Sequence, residues 1–202
     1  TPSRSSAASD VYKRQRKGME SYETICGYLP NAIKLPNSAI GKNIDLKYAA
    51  NKNYPGESEE SLINGLIGTL NYKDLSWQGF EGKDLIAMID LGKITKINEV
   101  KIRFLQSQVF WIFLPKRIEF EYSVDGKNFE KMYEANPKNE FSYAQEIFTY
   151  AVNPKNIEAR YIRVKARNIM ECPDYHPGAG GLSWIFSDEI IIVFLSNSAG
   201  VI

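Results

Sequence analysis

Two neighbouring carboxylates, Asp188 and Glu189, and three loops that mix aromatic rings with polar side chains are the places where this sequence could do chemistry. Adjacent acids suit general acid–base work when both reach one substrate. Here they stand in residues 184–194 (WIFSDEIIIVF), a nearly continuous apolar run that reads as a strand. Successive strand side chains point to opposite faces, so the two acids are not expected to act jointly, and Glu189 fits better as a buried acceptor. The loops are residues 76–81 (SWQGFE), 106–111 (QSQVFW) and 174–181 (DYHPGAGG). A sugar presents apolar C–H faces ringed by hydroxyls, so a site for it needs exposed aromatic platforms and Asn, Gln, Arg, His or Asp to orient the hydroxyls. Trp77, Phe80, Trp111, Tyr175 and His176 are the candidates.

The competing role for each is packing, because aromatic rings dominate cores. Trp77, like Trp184, stands next to a strand start, where packing is favoured. Tyr175 and His176 lie between Pro173 and Pro177 in a Gly-rich loop that cannot be a strand interior, so exposure is expected there. His176 could instead hydrogen-bond that loop together. If these two residues touch sugar, alanine at either should abolish glycan retention and leave the melting temperature nearly unchanged.

Other chemistries lack their residues. The chain has no closely spaced Cys/His zinc set, no phosphate loop, no dinucleotide glycine motif and no nucleophile elbow. Residues 178–181 (GAGG) are not set between a strand and a helix, so they read as a flexible loop. Cys26 and Cys172 leave a disulfide open in an oxidising compartment, although two cysteines are a weak signal. Glu57, Glu59 and Glu60 read as a solvated surface. With 25 basic and 24 acidic groups in 202 residues, the net charge of +1 provides no footprint for nucleic acid or an anionic membrane. No run approaches the roughly 20 apolar residues of a transmembrane helix. The length is also short of the about 250 residues typical of a complete (β/α)₈ barrel.

Residues 1–15 (TPSRSSAASDVYKRQ) have no apolar period, and residues 5–15 resemble the in-frame translation of a sequencing adapter. They are expected to be a disordered assembly artefact, a natural tail being the alternative. They carry Arg4, Lys13 and Arg14 against Asp10, so the slight basicity belongs to them. The chain then reads as a fragment with a missing upstream neighbour, and the lack of a signal sequence does not place it in the cytoplasm. Residues 16–37 read as a lead-in, 38–195 as one domain and 196–202 as a tail.

Leu85, Ala87, Ile89 and Leu91 alternate until Gly92, and Val100, Ile102 and Phe104 alternate with charge, which marks strands with one wet face. Ile118, Phe120, Tyr122 and Val124 do the same, and Asp125-Gly126 then signals a tight two-residue hairpin into residues 129–133. Residues 159–166 (ARYIRVKA) and 184–194 supply two more strands, the second apolar enough to be central. Short strands about ten residues apart, with Gly, Pro and Asn between them and no long amphipathic helix, predict an all-β antiparallel sandwich or jelly roll.

The order of several pieces resembles discoidin domains, also called coagulation factor 5/8 type C domains, and the related family 32 carbohydrate-binding modules. The pieces are Leu62-Ile63-Asn64-Gly65 with Thr69 and Trp77, residues 87–92 (AMIDLG), 115–126 (PKRIEFEYSVDG), 160–164 (RYIRV) and Asp188-Glu189-Ile190. Residues 71–85, 110–116 (FWIFLPK) and 172–190 are also similar to the carboxyl-terminal domain of family 20 β-N-acetylhexosaminidases from gut-type Bacteroidetes. The resemblance implies an eight-stranded, galactose-binding-domain-like jelly roll whose loops at one end bind a ligand, often galactose or an N-acetylated sugar. It also implies a structural calcium site: carbonyls of Ser61 and Leu66, side chains of Asn64 and Thr69, and the carboxylate of Glu189. Asn64 stands where the family usually has Asp, which removes a charge from the site, and a plain Asn-Gly turn is the alternative.

The expected function is that of a non-catalytic, glycan-binding ancillary domain of a secreted bacterial glycoside hydrolase, periplasmic, surface-bound or released. Its expected partners are a galactose- or N-acetylhexosamine-type glycan and the upstream catalytic domain. Alternatives are a structural domain packed on the catalytic barrel or a discoidin-type adhesion module. Buried aromatics in the three loops, or an apolar patch on one side, would favour the structural role.

Overall fold

The computed structural model describes residues 35–58 and 60–195. Eight strands carry the fold: β1 (Asn43–Leu46), β2 (Gln78–Glu81), β3 (Leu85–Ser107), β4 (Arg117–Ser123), β5 (Glu130–Ala135), β6 (Gln145–Val152), β7 (Ile157–Arg167) and β8 (Trp184–Phe194). Every strand pairing is antiparallel. The expected antiparallel β-sandwich is therefore the fold. Its layers run β1-β3-β7-β4-β5 and β2-β8-β3-β6, with β3 in both.

That sharing corrects one reading. The alternation ending at Gly92 suggests a strand end, yet β3 continues through it for 23 residues. Gly92 adopts a φ of +83°, where a Cβ is disfavoured, and the register slips between Asp90 and Thr95. The strand thereby leaves one layer and enters the other. Its first half places Leu85, Ala87 and Ile89 in the core, and its second half places Val100, Ile102 and Phe104 there. Ile118 and Phe120 of β4, Ile162 and Val164 of β7, and Ile190 and Ile192 of β8 close the same core. As its composition implies, β8 is central, between β2 and β3.

The predicted hairpin joins β4 and β5, but its connection is longer than two residues, because the pairing begins only at Tyr122 opposite Glu130. The Asp125 carboxylate organises the loop, accepting the backbone N–H groups of Lys127 and Asn128 and the Ser123 hydroxyl. These donors hold its pKa well below the usual carboxylate range, the Asn128 and Lys127 N–H groups contributing most.

On the outer face of the same layer, Glu119 and Glu121 of β4 stand opposite Lys165 and Arg163 of β7. Arg163 bonds Glu121 at 2.5 Å, and Lys165 reaches both acids. That face of the sheet is thus a largely covered cross-strand charge ladder.

The domain starts before Ser38. Leu35 N–H donates to the Gly65 carbonyl, and the buried Asn37 amide bonds Glu189 and the Ile190 carbonyl. Residues 1–34 and 196–202, and with them the adapter-like segment, most of the lead-in and Cys26, lie outside the described residues. Cys172 is buried, which pushes its thiol up to about 12.

Opposite Arg103, the register slips so that Ile102 pairs with Ile190 and Phe104 with Ser187, leaving Asp188 and Glu189 together as a β-bulge. Arg103 Nη1 lies 2.9 Å from Asp188 Oδ2 in an almost fully buried pair. Removing one partner of such a pair strands a buried charge, which typically costs about 3–5 kcal/mol. Arg103→Met should therefore lower unfolding free energy by about that amount in urea titration, and adding Asp188→Leu should recover part of it. Additive losses in the double variant would refute the coupling.

Candidate functional site

Three connections gather at one end of the sandwich: 108–116 between β3 and β4, 136–144 between β5 and β6, and 168–183 between β7 and β8. Gln108 knits them. Its side chain donates to the Glu140 carbonyl at 2.7 Å and accepts Ser142 N–H at 3.3 Å, while its backbone carbonyl lies 2.8 Å from His176 Nε2. Gly178 N–H donates to His176 Nδ1 at 3.0 Å, so Nε2 carries the proton and donates to Gln108. Asn139 makes a reciprocal pair with the Leu114 backbone and, through its carbonyl, accepts the Tyr175 hydroxyl at 2.5 Å.

The five aromatic candidates divide unevenly. Trp77, Phe80 and Trp111 are buried and have no ring face to offer a ligand, which corrects their reading as platforms. Phe80 sits in strand β2, because residues 78–81 of the expected loop pair with β8. Trp77 packs against Gly68, where a Cβ would lie 2.3 Å from its indole nitrogen, and donates that N–H to the Thr69 carbonyl. Trp111 fills the space under Gly178 and Gly181. His176 is 6% exposed, touches Trp111 and Phe113 edge-on and spends both nitrogens on backbone. It is the clasp of its loop, the alternative that the sequence left open.

Tyr175 is 44% exposed, as its loop implies. It joins two rings that the sequence reading passed over. Phe141 contacts Tyr143 at 4.7 Å and Tyr175 at 5.9 Å between centroids, both edge-to-face, and Tyr143 is 76% exposed. Phe141, Tyr143 and Tyr175 form an open aromatic cluster, stabilised by ring geometry as well as area. The available signal was Phe-Ser-Tyr within a polar, Pro-containing loop. A second exposed group, Leu70, Leu75, Val109 and Phe110, lies in 69–75 and 108–110, where Tyr72 contacts Phe110 at 4.4 Å.

The calcium candidates cluster around loop 61–69. Glu189 Oε1 accepts Gly65 N–H at 2.8 Å and the Asn37 amide at 2.5 Å, and Asp188 Oδ2 accepts Gly68 N–H at 2.8 Å. Both acids thus address one loop, contrary to strict strand alternation, because of the bulge. Asn64 Oδ1 accepts Leu66 N–H, the Thr69 hydroxyl donates to Asp74, and the Ser61 hydroxyl accepts Ser58 N–H. Among the described residues, Glu189 Oε2 is buried without a hydrogen-bond partner, an oxygen ligand suited to a hard cation. Burial pushes Glu189 up to about 8 and Asp188 up to about 6. Among the described residues no three His, Cys, Asp or Glu side chains converge, so a cation here would rely on carbonyl and amide oxygens. No described helix is long and apolar enough to cross a membrane.

The F5/8 type C domain family matches residues 47–184. A search of curated proteins finds no match. Among solved structures, a mutant Ruminococcus gnavus GH29 fucosidase in complex with fucose is 16% identical, with a TM-score of 0.54 over 80% of this chain and 27% of that one. CpGH89CBM32-6, produced by Clostridium perfringens, is 16% identical, with a TM-score of 0.49 over 79% of this chain and all of that one. CpGH89CBM32-4 from the same organism, in complex with glcNAc-alpha-1,4-galactose, is 16% identical, with a TM-score of 0.49 over 83% of this chain and 99% of that one.

The placements separate two side chains that are adjacent in sequence. His176→Ala leaves buried backbone groups unpaired and should cost roughly 1–3 kcal/mol in chemical denaturation, whereas Tyr175→Phe, losing one part-exposed hydrogen bond, should cost about 1 kcal/mol or less. Equal losses would contradict the clasp role of His176.

Proposed function

The chain belongs to the F5/8 type C domain family, and on that premise we propose that it is a non-catalytic carbohydrate-binding module whose site is the Phe141–Tyr143–Tyr175 end of the sandwich. The open aromatic cluster on hydrogen-bonded loops is the observation that carries this reading. Ring faces on hydrogen-bonded loops suit the apolar side of a sugar, and the Asn136 side chain lies in the same connection as Phe141 and Tyr143. Two structural neighbours are complexes, one with fucose and one with glcNAc-alpha-1,4-galactose, and the ligand class proposed for this chain is a galactose- or N-acetylhexosamine-type glycan.

Such a module works by avidity. A weak grip on glycan raises the local concentration of substrate for a tethered catalytic domain. We assign that role to this chain within an extracytoplasmic bacterial glycoside hydrolase, and the blocks 71–85, 110–116 and 172–190 support a β-N-acetylhexosaminidase as the parent. The second reading, a domain packed on that catalytic barrel, draws on the burial of four of the five aromatic candidates and on the exposed Leu70, Leu75, Val109 and Phe110.

Affinity electrophoresis and glycan-array binding of the full chain separate the two. The expected result is retention by a galactose- or N-acetylhexosamine-terminated glycan that weakens about tenfold or more in Tyr143→Ala and Tyr175→Ala, typical of exposed aromatic anchors. Leu75→Ser should leave retention unchanged. Absence of binding to any glycan would favour the packing role.

We further propose calcium as a structural ion held by Glu189 with the carbonyls of Ser61 and Leu66 and the side chains of Asn64 and Thr69. At an affinity near the millimolar range of extracellular modules, about 10 mM calcium adds roughly 1.4 kcal/mol, or about 3–5 °C in Tm. Glu189→Gln should remove that shift. A melting temperature indifferent to chelator and calcium would refute the site.

A further inference from the structure

At the same end of the sandwich as the aromatic cluster, an open surface cavity of about 600 Å³ is lined by Lys116, Arg117, Glu119, Asn136 and Arg167. Three cations and one amide thus surround a single carboxylate. That carboxylate is committed: Glu119 binds Arg117 at 3.1 Å and lies 3.7 Å from Lys165. Among the described residues, Arg117 uses only Nη2 for Glu119 and Glu134, and Arg167 uses only Nη1 for Asp84. A guanidinium carries five N–H donors, so each keeps unspent donors. Lys116 is exposed and makes no ion pair among the described residues. The cavity therefore offers an unneutralised ammonium and forked N–H donors, the chemistry that holds a carboxylate or sulfate.

Its position links it to the aromatic cluster. Asn139, whose carbonyl takes the Tyr175 hydroxyl, is fixed to Leu114, two residues before Lys116. Asn136 and Asn139 are separated by at most roughly 11 Å of chain. One oligosaccharide can lie on the rings and reach the cations.

We propose that the ligand of this module is an anionic glycan, whose acidic group, carboxylate or sulfate, enters the Lys116–Arg117–Arg167 cavity while a neighbouring ring rests on Phe141, Tyr143 and Tyr175. The inference rests on the carbohydrate reading above and names the ligand class of that same end.

The test is affinity electrophoresis of the full chain against matched gels: dextran and dextran sulfate, neutral galactan and polygalacturonate. The acidic member of at least one pair should retain the protein more strongly, with retention falling as salt rises, and the two pairs distinguish sulfate from uronate. Lys116→Glu should weaken that retention about tenfold, the scale of one lost charge-assisted hydrogen bond, while leaving neutral-glycan retention intact. Lys155→Glu, at the opposite end of the sandwich, makes the same change in net charge and should have little effect. Equal losses in Lys116→Glu and Lys155→Glu, or no preference for the acidic polymers, would overturn the proposal while neutral binding upheld the carbohydrate reading. Loss of all retention in the unsubstituted chain would overturn both.

Discussion

The sandwich depends on two buried acids in its central strand. Asp188 and Glu189 have no exposed surface, and an isolated carboxylate in that position would be prohibitively costly. The protein meets the cost by bringing donors to them: Arg103 from β3, Asn37 from the entering chain, and the N–H groups of Gly65 and Gly68. The donors come from three segments, β3, the entering chain and loop 61–69, so satisfying the acids fixes those segments on β8. Such an arrangement contributes little net stability compared with apolar packing, but it specifies one register. Here it determines where the lead-in ends and where loop 61–69 sits.

Much of this was legible in the sequence. Alternating apolar residues at 85–91, 100–104 and 118–124 locate their strands because one face of each meets the core and the other meets water. The apolar stretch 184–194 reads as central because both of its sides are covered. What escaped were features that alternation does not encode. β1, β2 and β6 are short or carry mixed faces, and the bulge at Asp188 and Glu189 overrides the rule that neighbours point apart. The passage of β3 between layers is signalled only by a single glycine.

The candidate site was legible by composition and less so by residue. Large rings were absorbed by packing: Trp77, just before β2, pins Gly68 and the Thr69 carbonyl, and Trp111, in connection 108–116, supports Gly178 and Gly181. Gly178 and Gly181 are small because the indole lies against them, and Gly180 takes a φ of +77°, so the glycines of loop 174–181 report a buried tryptophan and a turn rather than flexibility. Two of the cluster's three exposed rings, Phe141 and Tyr143, lie instead in 136–144, a connection whose polar sequence gave no period to read.

Burying Trp111 and His176 is also what makes the exposed rings useful. A ligand-binding surface on free loops loses ordering entropy at every encounter. Here Gln108, Asn139 and His176 spend their hydrogen bonds on backbone atoms of neighbouring connections, so 136–144 and 168–183 are held before any ligand arrives. Tyr175 is braced through its hydroxyl, and Phe141 bridges it to Tyr143. The aromatic residues at this end therefore act in two tiers: a buried tier that fixes the loops and an exposed tier that the fixed loops present. A substitution in the buried tier alters binding only by disturbing the frame, whereas one in the exposed tier removes contact surface and leaves the frame standing.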